Sequence, residues 1–303
     1  MNLKMNDMDD FRSGYVAIVG LPNVGKSTLL NQILNQKLGI VTRKPGTTRT
    51  NILGILNKSN GQIVFCDTPG IERAKSRLDR ILVEEVKTAC ANADIILYMI
   101  DVSSNFHQEI IQEFLANLNV PIILVLNKID KLKDKTVLFE MINKFSTTNK
   151  IDDIVPVSAQ KNQNVSRLLD VVLKMLPLGP ALYPPDILSD SDDIFFVSEL
   201  IREQVYLNSY KEIPYSSAVR VNRFEMNAKK SLFEIEAVIF VEKDSQKGIL
   251  IGKNGSKIKL IGESSRLEIE NYLDSKIFLN LKVGVKENWR QKDSSLSELG
   301  YSN

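Results

Sequence analysis

The chain has 303 residues, enough for two ordinary domains that each bury a core of their own. It is 43% hydrophobic and 25% charged, and its net charge of +2 excludes a uniformly basic surface. Two cysteines and one histidine exclude a disulfide framework and multi-histidine metal chemistry, and His107 is predicted to lie at a solvated helix start. Neither an N-terminal apolar region nor a spanning run of ~18 apolar residues occurs, so we expect a cytoplasmic protein.

The first half of the chain alternates short apolar runs with longer amphipathic stretches. The runs are rich in Val, Ile and Leu, and they read YVAIVG, QIVFCD, DIILYMID, PIILVLNK and DIVPVSA. Continuous apolar runs are typical of strands that are buried on both faces of a parallel sheet. The stretches between them have helical periodicity, as at Leu78, Leu82 and Val86. We therefore predict an α/β fold with a mostly parallel, doubly wound sheet and a ligand site at the carboxyl ends of its strands.

Four prolines and a glycine in residues 177–186 interrupt this order and predict a semi-rigid linker. The patterns after it predict the order α-β-β-α-α-β, an open α+β sheet covered on one side by helices. The predicted organisation is a tail, a first domain, a linker, a second domain and a second tail, at 1–12, 13–177, 178–189, 190–290 and 291–303.

The segment GLPNVGKST matches G-x-x-x-x-G-K-[ST] directly after a predicted strand and before a predicted helix. Successive backbone N–H groups of such a loop wrap a β-phosphate, and the helix N-terminus adds its dipole. Lys26 is predicted to neutralise β- and γ-phosphate oxygens, and Ser27 to bind Mg²⁺. The predicted phosphate-binding residues are Gly20, Leu21, Pro22, Asn23, Val24, Gly25, Lys26, Ser27 and Thr28.

The segment NKID follows the apolar run PIILVL and predicts the base that is bound. Guanine presents N1–H and N2–H₂ side by side, and one carboxylate accepts from both, whereas adenine has no such pair. Asp130 is therefore predicted to read guanine, with Lys128 covering the base and Asn127 tying this loop to the phosphate loop. Ser158 and Ala159 would add backbone contact to guanine O6. The alternative for NKID is a polar turn after a strand.

The segment DTPG ends another predicted strand and completes the nucleotide site. Asp67 is predicted to lie near the metal without binding it directly, and the Gly70 N–H near the γ-phosphate. Thr68, Pro69 and Ile71 of the same loop are also predicted to bind GTP. A threonine of KPGTTR must reach Mg²⁺ and sense the γ-phosphate.

This ordered set of segments resembles the translation-factor-like GTPases. The resemblance implies that Thr48, rather than Thr47, is the magnesium-binding threonine, because it precedes Arg49. It also implies a switch in which the γ-phosphate and Mg²⁺ hold two loops, here residues 40–50 and 67–77, which relax on hydrolysis.

Hydrolysis needs a positioned water and positive charge near the leaving oxygens. Ile71 stands where Ras-like proteins have a glutamine, so either hydrolysis is slow or another group acts. Asn23 resembles the asparagine of GTPases that hold K⁺ against the phosphates, which makes it a hypothetical potassium ligand; the alternative is a loop asparagine with turn hydrogen bonds. The catalytic candidates are Lys26, Thr48, Gly70 and Asn23.

A second glycine pattern, Gly252-x-x-Gly255 in GILIGKNGSKIK, lacks the spacing of a nucleotide loop. It lies between two predicted helices and resembles the loop of a type II KH domain, which clamps the backbone of about four single-stranded nucleotides. Residues 243–259 hold five lysines against one aspartate, a local excess of four positive charges. The alternative is a helix–turn–helix corner. The predicted RNA-binding residues are Lys247, Ile249, Ile251, Gly252, Lys253, Asn254, Gly255, Lys257 and Ile258.

A GTPase with this phosphate loop, a proline-rich linker and one C-terminal KH domain resembles the bacterial Era family along nearly its whole length. The tail ENWRQKDSSLSELGY is also similar to that family. The resemblance implies a ribosome-assembly GTPase that uses GTP and Mg²⁺ and binds the 3′ end of small-subunit ribosomal RNA. It further implies peripheral contact to the inner face of the cell membrane, and we expect the protein to be a monomer. The alternatives are a tRNA-modification GTPase and a non-enzymatic GTP-sensing RNA chaperone.

Overall fold

The computed structural model describes residues 10–42, 44–104, 118–134, 136–147 and 150–301, so the predicted helix start at His107 lies outside the described residues. These residues form two compact units. The first unit draws its described residues from Met1–Gly39, Thr48–Arg73 and Leu82–Asp190. The second unit draws them from Ile40–Thr47, Ala74–Ile81 and Ser191–Asn303.

The first unit is built on a sheet of six described strands in the order β2-β3-β1-β4-β5-β6. All neighbours pair in parallel except β2 and β3, which are antiparallel. The strands are β1 (Arg12–Gly20), β2 (Ile52–Lys58), β3 (Gly61–Asp67), β4 (Ile95–Asp101), β5 (Ile122–Asn127) and β6 (Asp153–Pro156). The described helices up to the linker are α1 (Lys26–Leu34), α2 (Arg77–Ala91), α3 (Thr136–Ser146) and α4 (Val165–Met175).

Burial explains why the first unit forms a parallel sheet. β3 and β5 are buried along their whole length, and β4 is buried up to its last residue, Asp101. Apolar runs without alternation have no polar face to turn to water, so both faces are covered. The predicted mostly parallel α/β fold is confirmed.

Sequence reasoning missed the edge strand β2. Its residues ILGILNK are less continuously apolar than those of its neighbours, and its burial is mixed. A two-residue connection joins it to β3, with Lys58 paired to Gly61. The Asn60–Gly61 pair was the available signal, because an Asn-Gly dipeptide marks a turn.

The predicted linker packs along the edge of the first unit. The backbone N–H groups of Leu182 and Tyr183 both donate to Gln62 Oε1, at 2.7 and 2.9 Å. Further along, Ile55 N donates to Leu188 O at 2.9 Å. Hydrogen bonds at both ends hold this proline-rich segment against β2 and β3.

The second unit contains a three-stranded sheet in the order β7-β8-β9, with β7 antiparallel and β9 parallel to β8. Its strands and helices are α5 (Asp193–Asn208), α6 (Ile213–Ser216), β7 (Ala218–Asn227), β8 (Leu232–Val241), α7 (Asp244–Ile251), α8 (Ser256–Leu273), β9 (Ile277–Val285) and α9 (Asp293–Glu298). Apart from the short helices α6 and α9, this is the predicted order.

One face of the second sheet forms the core of this unit. Ile235, Ala237, Ile239 and Val241 of β8 are buried at every second position, and they pack with apolar residues of α5, α7 and α8. This period-two burial is the sign of a sheet covered by helices on one face. Trp289 is also fully buried, and its indole N–H donates to Ser216 O at 2.8 Å.

A search of the described residues finds no helix with the length and apolarity needed to cross a membrane.

Candidate functional site

The loop between β1 and α1 has the backbone shape of a phosphate-binding loop. Asn23 and Gly25 have left-handed φ angles of 61° and 105°. A Cβ on Gly25 would lie 2.4 Å from Asn127 Nδ2, so this position requires glycine. Since α1 begins at Lys26, its first N–H groups follow directly on the loop.

Lys26 is nearly completely buried within this loop. Its ammonium donates to the carbonyl oxygens of Gly20 and Leu21, at 3.0 and 3.1 Å. Burial lowers the pKa of Lys26 to about 8, although the charges of Asp67 and Glu72 oppose the shift. A buried cation whose ammonium donates to backbone carbonyl groups is suited to bind phosphate oxygens.

Three oxygen-bearing side chains meet beside the loop. Ser27 Oγ lies 3.0 Å from Thr48 Oγ1 and donates to Asp67 Oδ2 at 2.5 Å. Burial raises the pKa of Asp67 to about 6, against the hydrogen bond from Ser27 and the charge of Lys26. Asp67 Oδ1 is buried and has no hydrogen-bond partner among the described residues. Clustered hydroxyl and carboxylate oxygens with one unsatisfied acceptor fit a hard divalent cation such as Mg²⁺.

The DTPG segment packs directly on the phosphate loop. A Cβ on Gly70 would lie 2.9 Å from both Pro22 Cα and Pro22 N, and Ile71 N donates to Gly20 O at 3.1 Å. Thr68 Oγ1 donates to Ile18 O at 2.8 Å, which holds the segment to β1. The Ile71 side chain packs against the apolar core. Because this side chain is a hydrocarbon, it cannot donate or accept a hydrogen bond that would orient water.

Asn127 links the predicted base-binding loop to the phosphate loop. Its Nδ2 donates to Val24 O at 2.7 Å, and its Oδ1 accepts from Ala159 N at 3.0 Å. Ser158 Oγ in turn donates to Asp130 Oδ1 at 2.5 Å. The structure therefore brings all five predicted base-loop residues to the edge of the sheet that also holds the phosphate loop.

Asp101 is a residue of this site that sequence reasoning missed. It ends β4 in register with Asn127, and its carboxylate pairs with Lys128 Nζ at 2.6 Å. Burial alone would raise the pKa of Asp101, but hydrogen bonds from Lys128 and Ser103 hold it below its usual range. Lys128 Nζ also donates to Asn23 O at 2.5 Å. The available signal in the sequence was that the apolar run before Asp101 ends in a polar residue, as the apolar run before Asn127 does.

In the second unit, the G-x-x-G loop joins α7 to α8. Gly252, Asn254 and Gly255 have left-handed φ angles of 74°, 52° and 75°. Lys253 and Asn254 are exposed at the tip, and a Cβ on Gly255 would meet open space. Of the predicted apolar flank, Ile249 is 52% exposed, whereas Ile258 packs against the core. The loop thus exposes backbone groups and the Lys253 side chain to solvent, with the apolar side chain of Ile249 beside them.

Two family models match this chain. Residues 15–128 match the model described as 50S ribosome-binding GTPase, and residues 212–290 match the KH domain. GTPase Era of Geobacter sp. (strain M21) is 47% identical over 293 residues, which cover 96% of this chain and 98% of that protein. GTPase Era of Trichlorobacter lovleyi is 44% identical over 291 residues, with the same shares covered.

Two solved structures are similar over nearly the full length. One is Era in complex with MgGDPNP and nucleotides 1506–1542 of 16S ribosomal RNA, and the other is a variant of Aquifex aeolicus Era bound to GDP·AlF4⁻. Each is 38% identical with a TM-score of 0.93, and covers 97% of this chain and 100% of its own. Fold and loops together define a P-loop GTPase domain followed by a KH domain. The chain belongs to the GTPase Era family.

Proposed function

We propose that this chain hydrolyses GTP to GDP and phosphate, and that it binds single-stranded RNA at the 3′ end of small-subunit ribosomal RNA to assist small-subunit assembly. The observation that carries the proposal is the presence of both sites in one chain that matches Era with MgGDPNP and 16S ribosomal RNA over 97% of its length. The KH domain distinguishes this function from that of a tRNA-modification GTPase.

The proposed nucleotide site uses residues of the first unit alone. The backbone of residues 20–28 wraps the phosphates, Lys26 neutralises their charge, and Asp130 accepts from guanine. Ser27 and Thr48 would bind Mg²⁺ directly, whereas Asp67 would lie near the metal and accept a hydrogen bond from Ser27. Bound Mg²⁺ would supply positive charge at the β- and γ-phosphate oxygens. Gly70 N–H is the proposed donor to the γ-phosphate.

Crosslinking to cellular RNA tests the proposed function as a whole. With a non-hydrolysable GTP analogue bound, we expect crosslinked reads to accumulate at the 3′ end of small-subunit ribosomal RNA. Reads distributed elsewhere would contradict the proposed RNA target. Turnover no faster than uncatalysed GTP hydrolysis, even with RNA bound, would instead favour the GTP-sensing RNA chaperone.

The tip of the G-x-x-G loop gives a sharper prediction. The double substitution Lys253→Asp with Asn254→Asp places negative charge against the RNA backbone, and aspartate tolerates the left-handed angle at position 254. We expect RNA affinity to fall at least about tenfold near 0.1 M salt. The slope of log affinity against log salt should become shallower by about 0.7 for each phosphate that the variant no longer neutralises.

Fluorescence anisotropy with a labelled single-stranded RNA measures this effect. The matched control, Ala228→Asp with Lys229→Asp in the β7–β8 turn, makes the same charge change away from the loop and should leave affinity within about twofold. If both double variants weaken binding equally, a diffuse charge effect rather than the loop explains it. GTP turnover without RNA should be unchanged in both.

We also propose that Asn23 helps to hold K⁺ against the phosphates. Turnover in potassium chloride should exceed turnover in sodium chloride by about tenfold or more, equivalent to ~1.4 kcal/mol of barrier. Asn23→Gly keeps the left-handed backbone while removing the side chain, so it should abolish the difference between the two salts. Asn23→Asp, which keeps an oxygen, should retain it.

Steady-state phosphate release at fixed ionic strength measures these rates. Equal rates in the two salts for the unmodified chain, or a potassium preference that survives Asn23→Gly, would leave Asn23 as a loop residue with a structural role only.

The predicted bounds of the domains, linker and tails stay proposals, as do the monomeric state and the cytoplasmic location with peripheral contact to the cell membrane.

A further inference from the structure

Tyr210, two residues after the end of α5, is an exposed aromatic residue whose ring lies near two cations. Tyr210 is 72% exposed. Lys44 Nζ lies 5.4 Å and Lys257 Nζ 5.8 Å from the ring centroid. All three residues belong to the second unit. We call Lys44, Tyr210 and Lys257 the Lys–Tyr–Lys cluster.

The positive charge of this cluster is not balanced within the described part of the chain. None of the ion pairs between described residues includes Lys44 or Lys257. Burial and then the charge of Lys257 lower the pKa of Lys44. Two neighbouring cations without a carboxylate favour an anion between them, since it relieves their repulsion.

Lys44 is held in this place by the end of a helix. Its ammonium donates to the carbonyl oxygens of Tyr206 and Ser209, in the last turn of α5 and directly after it. The C-terminal end of a helix carries partial negative charge and unsatisfied carbonyl groups, so it stabilises a cation there. The cluster is therefore positioned by backbone contacts as well as by its own ring contacts.

The cluster adjoins the G-x-x-G loop. Lys257 is the second residue of α8, and a Cβ on Gly252 would lie 2.8 Å from Lys257 Cβ. Lys257 is also part of the local excess of positive charge at residues 243–259. An RNA strand on the loop can thus reach the cluster without leaving this basic strip, which favours RNA over an acidic peptide as the occupant.

We propose that the Lys–Tyr–Lys cluster is a further nucleotide-binding position of the RNA site, in which one base stacks on Tyr210 and one phosphate binds Lys44 and Lys257. The inference rests on the proposed RNA-binding function and extends it to Tyr210 and Lys44. Single-stranded nucleic acid is commonly bound in this way, by aromatic rings that stack bases beside cations that hold the backbone.

RNA affinity of the full chain, with a non-hydrolysable GTP analogue bound, tests the proposal. The probe is a labelled single-stranded RNA with the 3′-terminal sequence of the cell's own small-subunit ribosomal RNA. We expect Tyr210→Ala to weaken binding by about fivefold or more, the loss typical of one stacked base, and Tyr210→Phe to restore most of it. Lys44→Met should make the salt slope shallower by about 0.7.

Two substitutions away from the cluster serve as matched controls. Phe278→Ala removes another exposed aromatic ring of the second unit, 60% exposed on β9, and Lys229→Met removes a lysine of the β7–β8 turn. Both should leave affinity within about twofold. Fluorescence of the buried Trp289 checks that each variant keeps the second unit folded.

The possible failures are distinguishable. If the unmodified chain does not bind the RNA, the proposed function itself is wrong. If it binds and the Lys253→Asp, Asn254→Asp variant does not, while Tyr210→Ala and Lys44→Met bind normally, only the cluster proposal is overturned. That result would leave another occupant, such as an acidic peptide, for this surface.

Discussion

Replacing Asp130 with asparagine is expected to change the base preference of this GTPase from guanine to xanthine. Asparagine keeps one oxygen, which accepts a neutral hydrogen bond in place of a charge-assisted one, but it presents an NH₂ group to the other guanine donor, so the second hydrogen bond is lost and that donor is left unsatisfied. The loss of one charge-assisted bond, at ~1.5–3 kcal/mol, together with the weakening of the other by ~1 kcal/mol, weakens GDP binding by about 100-fold. Xanthine has a carbonyl oxygen where guanine has its amino group, and that oxygen accepts from the new NH₂ group.

Competition calorimetry with GDP and xanthosine diphosphate measures the change. Asp134→Asn is the matched control, because Asp134 follows the same loop but accepts from Thr136 N at 2.8 Å, a role that asparagine also fills. Both affinities should be unchanged in this control. A chain with Asp130→Asn that still prefers GDP would assign base recognition to another residue.

Replacing Arg202 with leucine is expected to cost about 3–5 kcal/mol of the stability of the second unit. Arg202 is 1% exposed and pairs with Glu199, three residues earlier on α5, whose side chain is 13% exposed. Its guanidinium also donates to Thr47 O. Leucine fills part of the space but leaves a mostly buried carboxylate without its cation. A loss of this size is a large part of the ~5–15 kcal/mol that stabilises a typical domain.

Denaturant unfolding followed by fluorescence of Trp289 reports on this unit, because Trp289 is the one tryptophan of the sequence. Lys259→Leu is the matched control, since its pair with Glu263 lies one helical turn apart on α8 with both side chains more than half exposed. It should change the free energy of unfolding by no more than ~0.5 kcal/mol.

The double substitution Arg202→Leu with Glu199→Leu separates the charge effect from the change in packing. It should be less destabilising than Arg202→Leu alone, because no charge is then left buried without a partner. Equal losses in Arg202→Leu and Lys259→Leu would show that this ion pair contributes little.

The local patterns of the sequence were sufficient to predict most of the fold. Buried parallel strands such as β4 and β5 can be predicted from the sequence, because every position along them is apolar or aromatic up to the polar residue that ends each strand. The strand β8 is equally clear, since its residues alternate with period two. The edge strand β2 has neither a continuous apolar run nor a period-two alternation. Its place depends on pairing with β3, which is a contact between segments and not a property of its own residues.

The same distinction applies to the two sites. The phosphate, base and G-x-x-G loops were readable because each depends on a few residue types at fixed spacing within one short segment: glycines for the backbone geometry of the phosphate and G-x-x-G loops, and the side chains of Asn127, Lys128 and Asp130 for the base loop. Asp101 was not readable, since it acts through an ion pair with a residue that follows the neighbouring strand. Tyr210 and Lys44 were missed for the same reason: they are 166 residues apart in the chain and only the fold brings them together.

By itself, the sequence determined the class of both domains, the nucleotide and its base, and the loop that is proposed to hold RNA. Only the tertiary structure decided which buried polar groups have partners. Arg202 is paired with Glu199, whereas Asp67 Oδ1 has no hydrogen-bond partner among the described residues. The tertiary structure also placed Lys44 at the end of α5 beside Tyr210. The physical reason is that a phosphate loop is specified by neighbours in the chain, whereas the balance of charge at a site depends on every group the fold brings within a few ångströms.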